Sequence, residues 1–363
     1  MHKFKALLKN ILVELLFSIQ KNKKIVATKP SDVHLSVTES CCLQCKMCDI
    51  WKIKNRQKNL DYQTAKKILD KLKIWLDSCQ LTFAGGEPFL NNDFLKIIRY
   101  AQQKGFKTST NSNGYLITEN LAKKINASGL SQIFFSIDGL SEKHNFIRGK
   151  KDSFQKVVAA VKNLQKDKTN GKKPKIFINS VISNNNLKEI NKLVALAKKL
   201  GVAGINFQVL MPNFATKYNP NWFEKNPFWP KNQKEVEQVI DKLISLKYKH
   251  PAFLLNSTRD FKNFKKYLIK PKLYQEKEQC LVGFNNCMID SLGNMRLCYE
   301  MGVIGNILEE NPQKLWIGQK AKQHRQQILQ CQRPCKLLPC NDVKNFALIK
   351  NFFLLKKLLR HQK

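Results

Sequence analysis

The apolar and polar positions of the chain alternate between two rhythms. Short β-branched or apolar runs, Val33–Val37, Gln80–Phe83, Lys107–Thr110, Ile133–Ile137, Lys175–Ile182 and Gly204–Leu210, have the composition and length of strands. Between them apolar residues recur at helical spacing. Ala65, Ile68, Leu69 and Leu72 form one stripe, and Phe154, Val157, Val158 and Val161 another. A third joins Leu187, Ile190, Leu193, Val194 and Ala197, with Gly201 as its stop, and the last joins Val236, Val239, Ile240 and Leu243. Six strand-then-helix units predict a parallel sheet, because parallel strands need crossover helices. Six units fall short of a closed eight-fold barrel. The expected fold is therefore α/β, a partial (β/α)6 TIM-type barrel over residues 31–248. Chemistry in such folds lies beyond the C-terminal strand ends, which directs attention to the residues just after each strand.

Both ends of the chain are amphipathic. Phe4, Leu7, Leu8, Ile11, Leu12, Leu15 and Ile19 recur at helical spacing within 1–30, and Lys9, Asn10 and Glu14 interrupt the run. That pattern is too short and too charged for a membrane span and lacks a signal-peptide cleavage site. Residues 342–363 repeat the theme, with Phe346, Ile349, Phe352, Phe353 and Leu359 among Lys350, Lys356, Lys357 and Arg360. Packing on the body of the protein is the first expectation, and peripheral membrane contact is the alternative. Residues 249–279 read as a connecting segment. The loop 212–230, with Phe214, Tyr218, Trp222 and Trp229, reads either as a wall on the catalytic face or as a packed connection.

The chain has 363 residues, 43% of them hydrophobic, enough for a large core. Its net charge of +37 suggests nucleic acid. The lysines are spread over nearly every helix, however, and no nucleic-acid motif accompanies them, so nucleic acid is the weaker expectation for a partner.

The eleven cysteines change the picture. They stand at 41, 42, 45, 48 and 79 and again at 280, 287, 298, 331, 335 and 340, with none between. Tight groups at both ends of a long chain read as metal sites in a reducing, cytoplasmic compartment. Cys41, Cys45 and Cys48 have the spacing C-x3-C-x2-C directly after the first strand. Three thiolates can hold three corners of a cubane and leave one iron open for chemistry. From spacing alone, Cys42 with Cys45 and Cys48, or all four as a zinc site, remain alternatives.

The cysteine loop, with Gly85, Gly86, Glu87 and Pro88 after the second strand, resembles the radical S-adenosylmethionine (SAM) superfamily over about residues 32 to 210. The resemblance implies a 4Fe-4S cluster on Cys41, Cys45 and Cys48, with SAM chelating the open iron. It makes Cys42 a spare and puts Met47 where an aromatic residue is usual. By the same resemblance Gly85, Gly86, Glu87 and Pro88 face the methionine end of SAM. Asn113 closes the third strand, Ser136 and Asp138 follow the fourth, and Arg148 is a candidate partner for the SAM carboxylate. Asn179, Ser180 and residues 208–211 are candidates for the nucleoside pocket.

The second cysteine group, residues 280–341, is similar to the SPASM/twitch extension of that superfamily. Cys280 is followed by Gly293-x4-Cys298 in a predicted β-hairpin, then by Cys331, Cys335 and Cys340. The fold therefore ends in a small cysteine-rich auxiliary-cluster domain. Two fully ligated clusters need eight cysteines and six are present, so one auxiliary 4Fe-4S cluster is expected. Cys280 and Cys298 are the firmest ligands, the others coming from Cys287, Cys331, Cys335 and Cys340, and a structural zinc is the alternative. Cys79 reads as a buried strand residue.

The resemblance implies a radical SAM enzyme of oxidoreductase or maturase type, with flavodoxin or ferredoxin as electron donor. Oxidation or crosslinking of a peptide, protein or small molecule is the leading reading. An RNA- or nucleotide-modifying radical enzyme and a non-catalytic zinc protein are the alternatives.

Overall fold

The computed structural model describes residues 29–53, 59–166, 173–212, 218–272, 280–333 and 335. The amphipathic ends, Phe214 and Cys340 lie outside the described residues. Each predicted strand is found within two residues of its expected ends: β1 (Asp32–Thr38), β2 (Gln80–Gly85), β3 (Lys107–Ser112), β4 (Gln132–Ser136), β5 (Lys175–Ile182) and β6 (Gly204–Val209). They pair in sequence order and in parallel.

The helices between them are α1 (Tyr62–Leu76), α2 (Phe94–Gln103), α3 (Glu119–Asn126), α4 (Ser141–Arg148), α5 (Ser153–Lys166), α6 (Ile190–Lys199) and α7 (Gln233–Lys249). Asp61 caps α1 by accepting from the Thr64 amide, and Ala65, Ile68, Leu69 and Leu72 are all buried against the sheet. Odd positions of β1 (Val33, Leu35, Val37) enter this outer core with Leu81 and Phe83 of β2. The opposite face of the sheet is polar. Asp32, Thr82 and Ser109 are hydrogen-bonded across three strands, and Asn111, Asn179 and Asn206 form an amide ladder across β3, β5 and β6. The period-2 alternation thus separates an apolar outer layer from an inner face rich in polar side chains.

Two features differ from the sequence expectation. The stretch read as a connecting segment is folded onto the barrel. Asn256 clamps the backbone of Phe207 in β6 through both its amide atoms (2.7 and 2.9 Å), and α8 (Thr258–Ile269) packs on α7. In addition, the cysteine-rich region is no separate sheet. After the short helix α9 (Val282–Asn285), β7 (Asn286–Ile289) pairs in parallel with β1, and β8 (Asn294–Arg296) and β9 (Gly305–Asn306) continue as an antiparallel meander. The order is β6-β5-β4-β3-β2-β1-β7-β8-β9. Asp290 accepts from the Leu292 and Asn294 amides and turns the hairpin, with Gly293 at φ +84°. Helices α10 (Pro312–Ile317) and α11 (Gln319–Leu329) close the chain over α1 and α9. Among the described residues no helix is long and apolar enough to cross a membrane.

Candidate functional site

The loops after β1, β2, β3 and β4 converge on one open cleft of about 490 Å³. Its lining includes Cys41, Cys45 and Cys48 from the first loop and Gly86 from the second. Asn111, Ser112 and Asn113 come from the third strand, Ser136 from the fourth, and Arg148 from the end of α4. Backbone contacts fix the first two loops to one another. The amides of Gly86 and Glu87 donate to the carbonyls of Thr38 and Ser40 (3.0 and 2.8 Å). A Cβ on Gly86 would stand 2.2 Å from the Ser40 oxygen and 3.0 Å from Cys41 Cβ, so only glycine admits this approach.

The sulfurs are met by donors. Asn113 Nδ2 lies 3.5 Å from Cys42 Sγ and 3.9 Å from Cys41 Sγ, and Arg148 Nη1 lies 3.8 Å from Cys45 Sγ. A hydrogen bond with Cys42 is the largest influence bringing Cys41 down to about 6, while burial raises Cys45 and Cys48. Cys42 is pushed up by the same bond and carries the proton. It is absent from the cleft lining. The apolar part of the lining is Leu43, Ile50 and Trp51. Trp51 donates its indole N–H to the Cys45 carbonyl (3.1 Å), and Met47 packs on the core instead.

Several predicted residues stand behind the cleft rather than in it. Glu87 is buried and accepts from the Asn113 amide (2.8 Å), Ser112 Oγ (2.9 Å) and the Phe89 amide (3.3 Å). Burial pushes its carboxyl up to about 7. Its carboxylate therefore holds the loop that presents Asn113. Gly85 and Pro88 shape the same turn without lining the cleft. Asp138 is fully buried. It accepts from the Val181 amide (2.8 Å) and pairs with Arg148 at 2.5 Å, so it supports Arg148. Ser180 faces away from the barrel interior and is fully buried. Asn179 faces inward and donates to Asn111 at 2.7 Å. Asn111, Ser112, Ile50 and Trp51 were missed from sequence. A signal for Ile50 and Trp51 was their place two and three residues after Cys48; Asn111 and Ser112 needed the strand register.

The second cysteine group gathers around Arg333. Its guanidinium lies 4.4 Å over the Tyr218 ring and pairs with Glu300, whose amide donates to Cys298 Sγ (3.4 Å). Cys298 feels the charge of Cys331, and Tyr218 that of Cys331 and Cys335. Cys287 lies in β7 opposite Val33 and is fully buried, and burial raises its thiol well above the ordinary value. Cys79 sits across β1 as the expected buried residue. In the loop after β6, Trp222, Phe223 and Trp229 pack on one another and on Tyr267 of α8, so that part is a packed connection. Among the described residues no three His, Cys, Asp or Glu side chains form a ready single-ion site.

Residues 35–197 match the radical SAM superfamily, and the chain belongs to it. Within that superfamily, residues 280–341 match the SPASM iron–sulfur cluster-binding domain, which makes this a radical SAM protein with a C-terminal SPASM domain. The AdoMet-dependent heme synthase of Methanosarcina barkeri is 28% identical over 244 residues, covering 65% of this chain and 67% of that protein. The mycofactocin maturase MftC of Mycolicibacterium smegmatis is 26% identical over 316 residues, 85% of this chain and 74% of that protein. The chain spans about half the length of two other curated relatives, 51% and 46%. Among solved structures, Streptococcus suis SuiB bound to precursor peptide SuiA shares the fold, with a TM-score of 0.63 at 14% identity over 84% of this chain and 68% of that one.

Proposed function

We propose that this protein cleaves SAM reductively at a 4Fe-4S cluster held by Cys41, Cys45 and Cys48, and modifies a peptide substrate through the radical so formed. One observation carries the reading. The three thiols, two sulfur-directed donors and the close-approach glycine Gly86 share one cleft at the C-terminal ends of a parallel barrel. This donor set suits anionic sulfur, and three protein ligands leave one iron position open. When bound, the cluster and SAM together supply a hydrogen-abstracting radical.

The chain's own contribution is geometric. Glu87 fixes the loop of Asn113, while Leu43, Ile50 and Trp51 wall the cleft against water. Ser136 and Asn111 present a hydroxyl and an amide that orient a bound nucleoside. Cys280 and Cys298, with further ligands among Cys287, Cys331, Cys335 and Cys340, would hold an auxiliary cluster, which would supply an electron acceptor. A flavodoxin or ferredoxin delivers the first electron. The peptide reading is supported by the solved SuiB structure, which holds a precursor peptide.

The test is anaerobic reconstitution followed by iron and sulfide analysis, with 5′-deoxyadenosine measured after dithionite and SAM. Iron near two cubanes and product formation are expected. Zinc without iron, or no 5′-deoxyadenosine, overturns the proposal.

A further inference from the structure

Arg148 is fixed between an acid and a sulfur. One terminal nitrogen of its guanidinium pairs with Asp138 at 2.5 Å, and the other lies 3.8 Å from Cys45 Sγ. Asp138 is itself immobilised. It is fully buried, its second oxygen accepts from the Val181 amide (2.8 Å), and its carbonyl accepts from Asn186 Nδ2 (2.7 Å). Its amide donates to His144 Nδ1 (3.3 Å). Arg148 is thus pre-aimed at Cys45, and both its terminal nitrogens are occupied before any SAM carboxylate arrives.

We infer that the Asp138–Arg148 pair sets the reduction potential of the cluster that Cys45 helps to hold. The inference rests on Cys41, Cys45 and Cys48 being the ligands. Reduction adds one electron, from the flavodoxin- or ferredoxin-type donor, and no bond need form or break. A guanidinium beside a ligand sulfur stabilises the more negative reduced state and raises the potential, as hydrogen bonds to cluster sulfurs do. The Asp138 carboxylate, on the far side of the guanidinium, offsets part of that charge. The two residues therefore act on the potential with opposite signs, and the pair holds it between the two extremes.

The experiment is a redox titration of the full-length reconstituted protein, followed by electron paramagnetic resonance on the signal that SAM addition alters. Arg148→Gln should lower the midpoint potential, and Asp138→Asn should raise it above wild type. Arg148→Lys, which keeps the charge, should fall between wild type and Arg148→Gln. Equal potentials in wild type and Arg148→Gln overturn the inference. So does a shift of both single variants in the same direction, the result of water entry alone. If Arg148→Gln takes up no iron, a shift in Asp138→Asn still supports the inference and its absence overturns it. A wild-type protein that takes up no cluster overturns the ligand reading instead, so the two failures are distinguishable.

Discussion

The two cysteine regions are built on opposite principles. The first is a cradle whose loops follow four adjacent parallel strands, and buried carboxylates behind it hold the residues that line it. Glu87 braces Asn113, Asp138 braces Arg148, and Gly86 lets two loops touch. The second is assembled from a two-strand hairpin extension and a helix end, tied by side chains around Arg333. Its cysteines are far apart in sequence, and one of them, Cys287, has been taken into the barrel core. The difference teaches that a short loop keeps a set of cysteines together by itself, whereas a dispersed set depends on where the sheet sends each strand.

The sharpest way to break this comparison is to remove a cysteine from each region. Cys45→Ala should cut 5′-deoxyadenosine formation more than about 100-fold, beyond what the loss of an outer partner costs. Cys298→Ala should lower iron content while leaving SAM cleavage in place. Equal loss of cleavage in both would mean that the regions are not separable.

Gly86→Ala tests the cradle's close approach. Its Cβ would meet the Ser40 carbonyl oxygen at 2.2 Å, so the loop must move, at a cost of about 2 to 4 kcal/mol. Thermal unfolding should show the loss, and iron bound per chain should fall with it.

Cys287→Ala sharpens the other side. A buried strand thiol leaves a small cavity, so stability should drop by about 1 to 2 kcal/mol with all iron retained. Missing iron in this variant would make Cys287 a ligand.

The smallest effect concerns Glu87. Its carboxyl rises from an ordinary 4.5 to about 7 on folding. A raised carboxyl pKa means that the folded state holds its proton longer than the unfolded chain. The contribution is present below pH 4.5 and is lost as pH rises through 7. Unfolding of the cluster-free protein should therefore show wild type losing stability relative to Glu87→Gln across that window. A flat difference would show that burial does not govern this carboxyl.

Much of the fold was legible because the sequence carries it locally. The stripe of Ala65, Ile68, Leu69 and Leu72 and the alternation in β1 each state which face is apolar, and the sheet simply honours them. Cys41, Cys45 and Cys48 were legible as a group because they fall within eight consecutive residues of one loop. For Asp138 and Glu87 a motif gives residue type and not the partners, Arg148 and Asn113, that their carboxylates take. Strand register then turned Ser180 outward, and the pairing of β7 with β1 carried Cys287 inward. The segment 249–279 looked like a linker, since nothing in it announces that Asn256 will clamp β6.

By itself, then, the sequence determined the order of strands and helices, the apolar faces and the three-cysteine loop, all of which depend on residues near each other in the chain. Only the tertiary structure decided which polar side chains see the cleft and which stand behind it. That choice turns on contacts such as Asp138 with Arg148 and Glu87 with Asn113, where burial removes water and leaves a neighbouring strand as the only partner a charge can find.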